Sequence, residues 1–278
     1  MPVQIIKIEN LKIENIKLSE PRENKRGGKA IYMNYDYEDG EGHKKLRFQL
    51  PKMKAPFGIS GFVPGEKNST PNEISNDALQ LSASESNLDA IKKIEEMEEM
   101  VIKHAFDNSK AIFGKKKSLD ILKELYTTTV KHSVDEDNNV TDKYPPRIRC
   151  KMIKNNDEYI TQIFSSSKEK LHMNIHNHED ILPKMSECTA IIECSSIWIV
   201  NDRFGITLRP AQMKVYKNDT NLNSYAFIDD GDDSEPDSST EDLEETTEEP
   251  AEETEEDGAV DELDPLDEEV VKPRRRKN

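Results

Sequence analysis

Residues 229–271 hold 23 acidic side chains and no basic one, and this run limits what can fold more than any other feature of the chain. Its few apolar residues, among them Leu243, Val260, Leu263, Leu266 and Val270, are scattered among Glu, Asp, Thr and Pro. Such a segment buries too little to offset the ~1–2 kcal/mol per residue of backbone entropy that ordering costs. The expectation is a disordered acidic tail over 229–278, ending in the basic cluster Lys272, Arg274, Arg275, Arg276 and Lys277. Folding is then confined to residues 1–228.

The same split changes the meaning of the net charge of −17. Taking the 23 tail acids and five tail bases from the 56 acids and 39 bases of the chain leaves 33 and 34, a net of +1. The body is charge-balanced, so the acidic average does not argue against a nucleic-acid partner. Cys150, Cys188 and Cys194 form an odd set without a CxxC pair, each in an apolar stretch, and read as reduced core thiols of an intracellular protein. The N-terminus lacks the unbroken apolar run of a signal peptide, and no stretch approaches the ~20 apolar residues of a membrane span.

Local pattern places strands first, helices in the middle and strands last. Residues 5–18 repeat Lys-Ile-Glu-Asn at Lys7 and Lys12, and alternate with slips of three, which suits a bent or bulged strand. Residues 30–38 and 44–50 read as strands of a hairpin around Asp39-Gly40-Glu41-Gly42. A helical region spans about 86–132. It opens on a Ser86–Asp89 capping box and buries a stripe of Leu88, Ile91, Ile94, Met97, Val101 and Ala105. Gly114 ends the first helix, Ser118 starts a second, and Lys115, Lys116 and Lys117 lie between them. Short strands return over 147–154, 158–164, 187–200, 203–208 and 212–216.

Enzyme signatures are missing. No phosphate-cradling glycine motif stands at a strand-to-helix junction, and Gly58-Ile59-Ser60-Gly61 does not match a nucleophile elbow. His172, His176 and His178, beside Glu179 and Asp180, suggest a divalent metal, but their spacing fits no common module and reads as solvated or structural histidines. No cofactor is expected.

Two stretches interleave bases with aromatics, the combination that binds single strands by backbone attraction and base stacking. The first contains Tyr32, Tyr35, Lys44, Lys45, Arg47, Lys52, Lys54, Phe57 and Phe62. The second contains Trp198, Arg203, Phe204 and Arg209. Phe48 and Trp198 also alternate with apolar neighbours, as core residues do, whereas Phe57 and Phe62 sit in a loop with Pro and Gly. A tethered polyanion would compete with a strand for such a cationic surface.

Leu50-Pro51-Lys52-Met53-Lys54-Ala55-Pro56-Phe57-Gly58-Ile59-Ser60 resembles an element of the single-stranded DNA-binding proteins of nucleocytoplasmic large DNA viruses. Ile197-Trp198, Phe204-Gly205-Ile206-Thr207 and Gln212-Met213-Lys214-Val215 resemble that family's closing region. The resemblance implies an OB-fold core and sequence-independent strand binding in viral DNA replication, recombination or repair. It also implies a site of action in the host cytoplasm or nucleus, and replication proteins as partners of the tail. The order of elements agrees with a five-stranded barrel bearing a helix between its third and fourth strands, with the later strands extending or covering it.

The expected fold is therefore mainly β, a β-barrel of OB-fold type with a central helical insertion (α+β), followed by the tail. The expected activity is single-stranded DNA binding without catalysis. An acidic-tailed module of histone-chaperone type is the alternative, with a metal-dependent enzyme behind it.

Overall fold

The structure is a computed structural model that describes residues 3–23, 28–60, 77–137 and 139–216. Phe62 and the acidic run lie outside the described residues. The described chain is mainly β, with a large mixed sheet and one long central helix.

The N-terminal stretch is not the continuous strand expected. Strand β1 (Ile6–Lys7) gives way to two 3-10 turns, Ile8–Asn10 and Ile13–Asn15, before β2 (Ile16–Leu18). The repeated Ile-Glu-Asn triplet is the turn itself: Leu11 and Ile16 donate their N–H groups to the carbonyls of Ile8 and Ile13. Each slip of three is thus a helical turn that returns an apolar residue to the core, where Ile8 and Leu11 are buried.

Next, β3 (Arg22–Glu23) pairs with β4 (Lys29–Asp36), and β4 forms the expected hairpin with β5 (His43–Gln49). Beyond it come β6 (Met53–Ala55), β7 (Ile59–Ser60) and β8 (Ala78–Ser82), none of which has a counterpart among the expected strands, since residues 52–62 read as a loop.

Helix α1 (Leu88–Asp107) buries Ala90, Ile91, Ile94, Met97, Glu98, Val101 and Ala105 along one face, the 3.6-residue stripe of a helix covering a sheet. Leu88 lies outside that stripe and is 37% exposed, and no side-chain cap forms at the Ser86–Asp89 pattern. The helix breaks at Asn108, and α2 (Ser109–Phe113) ends at Gly114, whose φ of +77° favours glycine. Ser118 caps α3 (Leu119–Leu125) by accepting the Ile121 N–H. Helix does not continue to 132, because Tyr126 bridges to Phe204 and Val130–Lys131 forms β9.

A small hairpin of β10 (Ser133–Val134) and β11 (Val140–Thr141) precedes β12 (Arg147–Lys151). After it come the hairpin β13 (Lys154–Asn155) and β14 (Glu158–Tyr159), then β15 (Gln162–Phe164), β16 (Lys170–Leu171) and the single-turn α4 (His178–Ile181).

The last two strands, β17 (Ser186–Val200) and β18 (Arg203–Tyr216), form a long hairpin closed by Asn201 and Asp202, both at positive φ. That is the backbone a two-residue turn requires, and Asn and Asp tolerate it best after glycine. The expectation of separate strands over 203–208 and 212–216 is corrected by a bulge. Ile192 pairs with Pro210 and Ile191 with Gln212, so Ala211 is the extra residue that lets the strand pass a proline.

This hairpin is also the centre of the sheet rather than a late addition to it. Along one edge β17 pairs in turn with β6, β5 and β4, while β18 occupies the other edge. A second irregularity between Cys194 and Ile197 falls where the partner changes from β5 to β4. Inward residues of the hairpin (Cys194, Ile197, Ile199, Phe204, Ile206 and Leu208) join α1 in one core. The three cysteines are free and buried, and burial pushes the Cys188 and Cys194 thiols up to about 12.

Candidate nucleic-acid interface

Strand alternation sends every second residue of the β17–β18 hairpin to the face opposite the core. Trp198 and Gly205 are a cross-strand pair on that outer face. A Cβ at Gly205 would stand 3.0 Å from Cζ2 of Trp198 and 2.8 Å from the Thr127 carbonyl oxygen. The missing side chain is what lets the indole lie down on the sheet. Trp198 is half-buried there and lines an open hollow of about 720 Å³ with Thr127, Thr128, Thr129 and Thr207.

Three bases bound the same hollow: Lys131, Arg149 and Lys151. Arg149 and Lys151 project from β12, whose alternation buries Ile148 and Cys150 and turns Arg147, Arg149 and Lys151 outward. The threonine loop is anchored from behind. Glu98 of α1, buried, accepts the Thr129 N–H at 2.6 Å and the hydroxyls of Thr128 and Thr129 at 2.7 Å.

A second hollow of about 280 Å³ shares Lys151 with the first and adds Lys45, Gln162, Glu193 and Arg209. Glu193, with 5% of its side chain exposed, lies between two guanidiniums. Its Oε2 accepts Nε and Nη2 of Arg47 at 2.9 and 2.8 Å, and its Oε1 accepts Nη2 of Arg209 at 2.6 Å. Burial by itself raises the Glu193 carboxyl, but the bonds from Arg209 and Arg47 outweigh it and hold the group below its ordinary range.

A third hollow of about 310 Å³ continues along the hairpin between Gln49, Phe164, Thr189, Gln212 and Lys214. Tyr216 lies beyond it with the ammonium groups of Lys52 and Lys214 at 4.6 and 5.2 Å from its ring centre. Burial raises the Tyr216 hydroxyl, yet the Thr189 bond and the nearby Lys214 and Lys52 charges outweigh this and lower it.

Strand register brings most of the expected residues to this one face. Arg47 opposes Glu193, Lys54 opposes Glu187, Arg209 opposes Glu193, and Tyr32 opposes Ser196 two residues from the Ala30–Trp198 pair. Lys45 follows the alternation of Arg47, Arg203 follows that of Gly205, and Lys52 pairs with Glu187. Tyr32 is 37% exposed, with the Arg22 guanidinium 5.8 Å from its ring centre.

Three expected residues go elsewhere. Tyr35 is 2% exposed, accepts the Lys12 N–H at 3.1 Å and packs edge-on against Tyr37, so neither ring face is open to a base. Phe204 is 1% exposed between Phe113 and Tyr126. Both face inward by position: Tyr35 stands three residues from Tyr32 in the same strand, and Phe204 pairs with Ile199, one residue beyond Trp198. Lys44 pairs with Tyr35 across the hairpin, off this face, and is neutralised by Asp39 at 2.7 Å and by Glu41.

Phe57 lies in the turn after β6, 41% exposed, with the Arg147 guanidinium 5.2 Å from its ring centre. It therefore adjoins the β12 row. Lys117, part of the expected basic connection, has its Nζ on Asp202 at 2.9 Å and over Phe113, and fastens the turn of the long hairpin to the helices. Around the histidine cluster, Asn177 donates to the His172 carbonyl at 2.9 Å and His178 Nδ1 contacts the Ile175 carbonyl at 2.9 Å.

Lys131, Arg149, Lys151 and Lys214 were not among the expected site residues. For β12 the signal was present in Arg147-Ile148-Arg149-Cys150-Lys151, where every polar position of a two-residue alternation is basic. For Lys131 no local signal exists, since its strand has two residues and is defined by pairing with β12.

Among solved structures, the chain is similar to the single-stranded DNA-binding protein from bacteriophage Enc34, at 10% identity and a TM-score of 0.37, over 76% of this chain and 96% of that one. The same phage protein in complex with single-stranded DNA matches at 11% identity and a TM-score of 0.38, over 74% and 98%. The single-stranded DNA-binding protein gp2.5 of bacteriophage T7 matches at 9% identity and 0.37, over 66% and 100%. No curated protein matches the sequence. Residues 73–229 match the family of unknown function DUF5871, more than half of the chain, and the chain belongs to that family.

Proposed function

We propose that this protein binds single-stranded DNA without selecting its sequence, and that it does so as a binding protein rather than an enzyme. The observation behind this reading is the Trp198 hollow. An indole laid flat on Gly205 offers a face to an unpaired base, and Lys131, Arg149 and Lys151 stand around it where a backbone would run. Stacking on an aromatic contributes ~1–3 kcal/mol per base whatever the base, and the lysines and arginine attract any phosphate chain. The path continues along the outer face of the hairpin past Lys45 and Arg209 toward Lys214, with Tyr32 and Phe57 as outlying aromatics.

On the same reading residues 229–271 compete intramolecularly with DNA for this face, or meet replication partners when DNA displaces them. The resemblance of residues 50–60 and 197–215 to viral strand-binding proteins supports a role in viral DNA replication, recombination or repair, in the cytoplasm or nucleus of the host cell.

The test is a titration of labelled oligonucleotides with full-length protein and with a form lacking residues 229–278. Affinity should fall steeply with salt, vary little with base sequence and rise when the tail is removed. Indifference of both proteins to single strands at low salt would end the reading.

A further inference from the structure

Glu193 is an anomaly on a face that attracts phosphate. It is a nearly buried carboxylate at the middle of the longest strand, lining a hollow whose other charged residues, Lys45, Lys151 and Arg209, are all basic. Stability does not explain it well, because a buried ion network is about as stable as the apolar residues that could replace it. What such a network does supply is orientation. Glu193 takes Nε and Nη2 of Arg47 on one oxygen and Nη2 of Arg209 on the other, so both planar groups are fixed relative to the sheet. Arg209 keeps 40% of its side chain exposed, and the guanidinium fork carries further N–H donors beyond the one on Glu193.

Resting on the strand-binding reading above, we infer that this second hollow seats one phosphodiester group of the bound strand, with Glu193 as the positioning residue that aims the Arg209 fork at it. Lys45 and Lys151 line the same space, so the cluster of Arg47, Arg209, Lys45, Lys151 and Glu193 has a net charge of +3. Lys151 also lines the Trp198 hollow, which makes the phosphate site continuous with the stacking site. Arginine is the suitable residue here, since its planar fork matches two phosphate oxygens at once and a lysine ammonium does not.

The decisive variant conserves charge. Arg209→Lys keeps the electrostatic attraction and loses the fork. Oligothymidine binding by fluorescence anisotropy, over a salt series, should weaken about tenfold in R209K, close to one charge-assisted hydrogen bond. The slope of log K against log salt should stay unchanged in R209K, which keeps the charge, and should fall by about 0.7 in Arg209→Ala, the value for one lost phosphate contact on a single strand. Arg47→Lys provides a second charge-conserving variant, and thermal melts confirm that each protein is folded. In a Glu193→Gln background, Arg209→Lys should cost less than about threefold, because the fork is no longer aimed.

R209K and R47K binding within twofold of wild type, with the salt slope of Arg209→Ala unchanged as well, would overturn the phosphate site while leaving strand binding intact. Failure of the wild-type protein itself to bind would instead remove the reading on which the site rests.

Discussion

Two hairpins of the sheet, β4–β5 and β17–β18, begin with the same ingredients and end with different surfaces. Each alternates aromatics, apolar residues and bases. In β4–β5 the aromatics Tyr35 and Phe48 face the core, and the tip is acidic, with Glu38 paired to Lys12 and Asp39 to Lys44. In β17–β18 an aromatic, Trp198, faces outward onto a glycine, and the tip residue Asp202 is held by Lys117. An aromatic is available to a ligand when its strand parity points it away from the core and its cross-strand partner is small enough to lie on. Proximity to lysine in the sequence decides neither.

The sharpest break between the hairpins should appear on truncating their aromatics. Tyr35→Ala is expected to remove ~3–5 kcal/mol of stability, as large-to-small changes at a fully packed ring do, with binding by the folded fraction unchanged. Urea melts paired with oligonucleotide titration check both halves. Trp198→Ala should do the reverse. Binding falls by ~1–3 kcal/mol, or about 5- to 150-fold, while the melting curve moves far less. Equal losses of stability in the two variants would mean that Trp198 is simply core.

Gly205→Ala tests the cross-strand pair directly. Its new methyl meets the Thr127 carbonyl and the indole at distances that require one of them to move. A loss of about 1–3 kcal/mol in stability, accompanied by weaker binding, is the expected outcome. Lys151→Ala is expected to act more gently, lowering the salt slope by about 0.7 for one lost phosphate and leaving stability unchanged.

The smallest effects belong to the β4–β5 tip. Lys44→Ala should leave strand binding unaltered, because two carboxylates already neutralise that ammonium. The hydrogen bond from Lys44, then that from the Glu41 N–H, holds the Asp39 carboxyl at about 2. A depressed carboxyl contributes stability above its ordinary titration range, near pH 4, and loses it as pH falls through about 2. An NMR titration of the Asp39 carboxyl showing a midpoint near 4 would dissolve the contact.

Much of the framework was legible before any coordinates. The hairpin at residues 39–42, the α1 stripe, the glycine end of the helical run and the strand β17 follow from alternation and turn chemistry read locally, whereas β18 read as two strands. What local reading missed lay in pairing. The Ile-Glu-Asn echo looked like bulged strand because a 3-10 turn and a strand slip give the same spacing of isoleucines. Strands β8 and β9 are strands by virtue of their partners: β8 lies between β12 and the pair β6 and β7, and the two-residue β9 lies beside β12. The site divides along the same line. Trp198, Arg203, Arg209, Lys45 and Arg47 could be named from residue type, whereas Lys131, Arg149 and Lys151 became part of it only when β12 and β9 came alongside β18.

The sequence alone therefore determined the charge division between body and tail, the mainly β character with one long helix, and the residue types able to meet a nucleic acid. Those are properties of composition and of periods two and 3.6, which any short window contains. Tertiary structure decided which aromatic stays exposed, which bases keep their charge available, and that a carboxylate sits between two arginines. Each of these depends on what lies across a strand, and residues such as Arg47 and Glu193, 146 positions apart, are brought into contact only by sheet register.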